Sequence, residues 1–165
     1  MTSDISFVFN VIASYSEAIL VFNMNKLIKT EIYQTKSNKL PGTNYREVLK
    51  KANVVFKSIK RKTKRKPYLR SAYFLKQKVF FDYFWLHLFQ KREAERARRL
   101  AYFEAALELI QNSRNHPESM QNPNKKSETL HRFTGVTKNK EVFYVQIKEN
   151  KRKGTKQFMS LFPAK

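Results

Sequence analysis

Val142-Phe143-Tyr144-Val145-Gln146-Ile147-Lys148 alternates with a period of two. Successive side chains of a strand point to opposite faces, so Phe143, Val145 and Ile147 share one face and Tyr144, Gln146 and Lys148 the other. The same period flanks this segment. Leu130–Val136, Glu141–Glu149 and Lys156–Phe162 read as three strands. Thr137-Lys138-Asn139-Lys140 is short enough for a hairpin turn, and Asn150–Thr155, with Gly154, makes the next.

Upstream the period becomes helical. Pro41-Gly42 signals a turn, Asn44 can cap, and Glu47 stands at capping-box spacing. Val48, Ala52, Val55 and Phe56 then line one face, and the helix is expected to run out near Lys60, ahead of Pro67. A second helical region is predicted from near Ser71, on the spacing of Phe74, Phe81, Phe84, Trp85 and Leu88. Leu100, Phe103, Leu107 and Ile110 resume the stripe, as one long helix or as two with a break near Gln90. The Asn- and Pro-rich stretch 112–127 reads as a loop. The expected fold class is therefore α+β: N-terminal helices followed by a small antiparallel β-meander of three to four strands. Residues 44–165 form a single basic domain in this reading, with helices over 44–112, the loop over 112–127 and the sheet over 129–163. Residues 1–43 read as an N-terminal extension. Its apolar segment Ile5–Phe22 is interrupted by Asn10, Ser14, Ser16 and Glu17, which suits partner packing better than a membrane span.

Charge sets the expected partner. The 165-residue chain carries a formal net charge of +21. Its 34 residues from Val48 to Phe81 hold twelve lysines and arginines and no acid. The densest run includes Lys60, Arg61, Lys62, Lys64, Arg65, Lys66 and Arg70. Such a block repels itself unless an anionic polymer lies against it, so it reads as a nucleic-acid contact rather than a solvated linker. Arg92, Arg96 and Arg99, at i, i+4 and i+7, form either a solvated face or a second backbone-binding edge. The chain has no cysteine, which excludes thiolate metal sites and fits a reducing cytoplasm. Its 13 acids are dispersed and its three histidines scattered, so no metal and no cofactor is expected.

Metal-independent RNA cleavage needs a base for the 2′-hydroxyl, cations for the phosphorane and an acid for the leaving oxygen. Strand alternation collects Arg132, Thr134, Tyr144, Gln146, Lys148 and Ser160 on one face. That face assignment takes Met159 and Leu161 as inward, with Phe158, Ser160 and Phe162 outward. His131 falls on the opposite face in this register unless a bulge re-aims it. His87, between Trp85 and Leu88, reads as a packed core histidine.

The segments Arg-Arg-Leu-Ala-Tyr-Phe-Glu-Ala-Ala-Leu-Glu-Leu-Ile, Leu-His-Arg-Phe-Thr-Gly-Val, Val-Phe-Tyr-Val-Gln-Ile-Lys-Glu and Gln-Phe-Met-Ser-Leu-Phe-Pro, between Arg98 and Pro163, resemble a known superfold. It is the nuclease-toxin superfold of barnase, EndoU, colicin tRNases and RelE, and the likeness is to its phage- and mobile-element-associated branch. The resemblance implies a metal-independent ribonuclease of toxin type, with RNA and an acidic antitoxin protein as partners, and a fourth strand, expected near Tyr68–Phe74. Ser160 matches the late-strand hydroxyl, and His131 or Arg132 the early-strand basic residue. The catalytic set expected is His131, Arg132, Lys148 and Ser160. The alternative is a non-catalytic nucleic-acid-binding protein of a mobile element.

Overall fold

A computed structural model describes Ile32–Ala164. The apolar segment Ile5–Phe22 lies outside the described residues. The chain runs β1 (Tyr33–Gln34), α1 (Tyr45–Lys62), β2 (Tyr68–Arg70), β3 (Lys78–Phe80), α2 (Asp82–Phe89), α3 (Glu93–Leu100), α4 (Phe103–Asn112), β4 (Glu118–Gln121), β5 (Glu128–Val136), β6 (Val142–Asn150) and β7 (Thr155–Pro163).

This order overturns the expectation of N-terminal helices followed by a small antiparallel meander. The four described helices lie between strands, and one seven-stranded sheet of order β1-β5-β6-β7-β3-β2 holds the molecule together. β4 adds to the same edge of β5 that β1 occupies further along. The sheet is mixed: β1 lies parallel to β5, and β3 lies parallel to β7. The three expected strands are its centre. β2 falls within the stretch where a further strand is expected; β1, β3 and β4 are not expected from the sequence, and at two to four residues they are too short to display a period. The expected loop 112–127 contains one of them, β4, whose four residues are all exposed.

Local rules account for the elements that match. Asn44 accepts a hydrogen bond from the Glu47 backbone N–H, and the Glu47 carboxylate accepts from the Thr43 N–H at 2.9 Å. α1 buries Val48, Ala52, Phe56 and Ile59, and runs two residues past the expected end, to Lys62. The helical region expected from Ser71 instead begins at Asp82. Before it, Ser71–Gln77 closes a β2–β3 hairpin, with Leu75 and Lys76 at positive φ. The break near Gln90 is present, separating α2 from α3. β1 and the buried Thr35 and Leu40 tie the chain from Ile32 onward into this unit.

Phe56, Phe81, Phe84, Phe103 and Phe158 form the centre of the core, with Phe84 stacked on Phe158 at 4.4 Å. Truncating any one of them to alanine removes about 3–5 kcal/mol. Gly135 is required for close approach, since a Cβ there would meet the Phe143 ring at 2.6 Å. One irregularity decides which side chains face out. Gln146 pairs with Ser160, but Ile147 pairs with Phe158, so Met159 is an extra residue that the ladder does not match. The bulge turns Phe158 and Leu161 both inward, correcting the expected inward Met159 and outward Phe158.

Candidate nucleic-acid interface

The helices cover one face of the sheet, and register defines what stands on the other. The outer face carries Tyr68 and Arg70 (β2), Lys78 and Phe80 (β3), Gln157, Ser160 and Phe162 (β7), Tyr144, Gln146 and Lys148 (β6), and Arg132 and Thr134 (β5). Basic and aromatic side chains dominate it.

At one end of this face Arg132, Gln146 and Ser160 are neighbours across three strands. The Arg132 guanidinium lies 5.8 Å from the Phe162 ring and 6.0 Å from the Tyr144 ring. From α3, Arg99 donates to the Ser160 hydroxyl at 2.8 Å, and its guanidinium also stands 5.8 Å from Phe162. Two cations therefore flank the Phe162 ring, and one of them, Arg99, also holds the Ser160 hydroxyl. On β7, β3 pairs only with Lys156 and Gln157, and α2 packs against the strand beyond them. His87 of α2 thereby lines a crevice of about 10 Å³, the size of one water, with Arg99, Met159 and Ser160. Burial, then the positive charges of Lys148 and Lys91, push the His87 imidazole below its ordinary range. Lys148 stands 4.1 Å from the Tyr83 ring centroid and 3.5 Å from the Glu128 carboxylate.

Of the expected catalytic set, Arg132, Lys148 and Ser160 share this face and His131 does not. No bulge re-aims it. His131 is 8% exposed on the core side of the sheet, opposite Ile147. One ring nitrogen shares a 2.8 Å hydrogen bond with Ser119, and the other lies 3.0 Å from Glu149. Glu149 in turn pairs with the buried Lys156 at 2.8 Å. His131 therefore belongs to a structural polar chain. The histidine that the fold brings beside Ser160 is instead His87, expected from the sequence as a packed core residue. Its signal is the four-residue spacing from Tyr83, which sets both on the flank of a helix whose buried residues are Phe84 and Leu88.

The basic block, on the end of α1 and the loop that follows, borders the outer face at the β2–β3 edge, and Arg70 stands on it. Lys60, Arg61, Lys62, Lys64, Arg65, Lys66 and Arg70 are all exposed. A groove of about 620 Å³ is lined by Lys62, Thr63, Lys64, Arg65, Lys66, Tyr68, Lys78 and Phe80. The nearby Asp82 carboxylate is occupied by Lys66 at 3.2 Å. The arginine stripe is divided in its roles. Arg92 is exposed, Arg96 donates to the carbonyls of Phe89 and Lys91, and Arg99 faces the cleft. Among the described residues no cluster of His, Asp or Glu is arranged to hold a metal ion, and no helix is long and apolar enough to cross a membrane. No family model, curated protein or solved structure matches the chain.

Proposed function

We propose that this protein is a metal-independent ribonuclease of toxin type, with His87 in the role first read for His131. The observation that carries the proposal is the Arg99–Ser160 hydrogen bond of 2.8 Å, with His87 lining the same cleft. An imidazole held neutral is suited to take the proton of a 2′-hydroxyl. That oxygen attacks the adjacent phosphorus, and Arg99, Arg132 and Ser160 meet the charge of the phosphorane. The bond to the 5′-oxygen breaks, Lys148 supplies the proton to it, and the products are a 2′,3′-cyclic phosphate and a 5′-hydroxyl.

The experiment incubates the full chain with RNA in EDTA and maps the ends. Expected are cyclic-phosphate ends, reduced about 10²- to 10⁴-fold by His87→Ala. Intact RNA would remove the catalytic reading. His131→Ala is expected to lower stability without abolishing cleavage by the surviving fold.

A second reading is a nucleic-acid-binding protein without cleavage. It is favoured by the carboxylates already seated on two of the proposed catalytic cations: Glu95 accepts from Arg99 at 2.6 Å, and Glu128 lies 3.5 Å from Lys148. It predicts retention of RNA, weakened steeply by salt, with no product at any incubation time.

A further inference from the structure

We infer that the groove between the end of α1 and the β2–β3 hairpin binds single-stranded RNA, with bases stacked on Tyr68 and Phe80 and phosphates held by Lys62, Lys64, Lys66 and Lys78. The inference rests on the reading of RNA as the polymer and not on its being cleaved.

Three observations carry it. First, the groove combines two ring systems with a run of cations, and both chemistries are needed to hold a single strand. Tyr68 and Phe80 are cross-strand partners, half-buried, with ring centroids 6.0 Å apart. They stand apart from the aromatic core, which lies beneath the opposite face of the sheet. Second, the cations already sit on the rings. The Lys78 ammonium lies 4.7 Å from the Tyr68 centroid, and the Arg70 guanidinium 5.9 Å. Lys78 is exposed, so an incoming base can take its place over the ring while the ammonium moves to the adjoining phosphate.

Third, register leads from the groove toward the cleft. Tyr68, Phe80, Gln157 and Lys148 are successive cross-strand neighbours on the outer face. At about 4.8 Å per strand, this row spans roughly 14 Å. A strand anchored on Tyr68 and Phe80 would therefore be drawn along the face that ends at Lys148, His87 and Ser160.

Duplex RNA keeps its base faces stacked within the helix and offers the rings nothing to stack on. The groove should therefore discriminate by strandedness. The test measures fluorescence anisotropy of the full chain with a labelled 2′-O-methyl oligonucleotide, which cannot be cleaved, single-stranded and annealed to its complement. Single-strand binding at least tenfold tighter than duplex binding is expected. Tyr68→Ala with Phe80→Ala should weaken the single strand about 10- to 100-fold and leave the salt dependence unchanged. Lys64→Ala with Lys66→Ala should instead lower the slope of log affinity against log salt by about 1.4, at ~0.7 per phosphate. Tyr68→Phe with Phe80→Tyr, which keeps both rings, should bind as the parent does and controls for folding. Equal affinity for the duplex, or full affinity in the folded ring-deleted variant, overturns the inference. Single-strand selectivity in a protein that cleaves nothing upholds it and removes only the ribonuclease. Cleavage without that selectivity does the reverse.

Discussion

Glu149 joins His131 to Lys156 on the core face of the sheet, and its protonation has a predictable consequence. Burial opposes its ionisation, but hydrogen bonds from Lys156 and His131 outweigh burial and hold the carboxyl below the ordinary 4.5. A carboxyl depressed in the folded state contributes stability that is present above its ordinary value and lost as pH falls through the folded one. Acid unfolding should therefore steepen below about pH 4.5, and Glu149→Gln should flatten that limb. The same substitution leaves the Lys156 ammonium, 3% exposed, short of its carboxylate partner. It should cost about 3 kcal/mol in urea denaturation, the lower end of the range because Glu149 itself keeps some access to water. His87 gives a second signature of opposite use. Its imidazole is held below 6.5, so the cleavage rate should rise with pH through a value under 6.5 and then level off. A rate that climbs only above pH 7 would exclude His87 as the base. The roles of the two histidines were only partly legible. Period two already set His131 opposite Lys148, but nothing local to His87 reveals that β3 stops after two paired residues and admits α2 beside Ser160.

At the scale of elements, the capping of α1 and the bulge of β7 carry separable predictions. Asn44→Ala removes the acceptor for the Glu47 N–H and should lower stability by about 1 kcal/mol, read as a fall in Tm. The bulge is separable from the facing of the residues around it. Deleting Met159 would leave Ile147 paired with Phe158 and Gln146 with Ser160, now as a regular ladder. Ser160 would stay outward and Leu161 inward, and the hydrogen bond to Arg99 would be kept. The deletion variant should keep its cooperative thermal transition, whereas Leu161→Asp, which buries a charge, should lose it. α1 was readable because its cap and its apolar stripe are contiguous in sequence. The hairpin of β2 and β3 was not. Phe74 lies at helical spacing from Phe81, yet Leu75 and Lys76 take left-handed backbone and end any helix before it starts.

Across the whole molecule, charge and topology divide the explanation. A net charge of +21 and an acid-free stretch of 34 residues make the affinity for any nucleic acid steeply dependent on salt. Raising salt from 50 to 200 mM should cost about 10³-fold or more if six phosphates are engaged. An acidic protein partner, as the resemblance implies, would compete for the same exposed lysines and should displace RNA with a similar salt dependence. The sequence by itself determined the central meander, α1, the break between α2 and α3, and the cationic character of the surface. These depend on periodicity, capping and composition, all of which act over a few residues. The tertiary structure alone decided that the sheet is mixed and seven-stranded, that the basic block borders its outer face, and that His87 rather than His131 stands with Arg99 and Ser160. Those outcomes depend on pairings such as β3 with β7 and Tyr33 with Gly135. Such contacts join segments some 75 to 100 residues apart, beyond the reach of any local pattern.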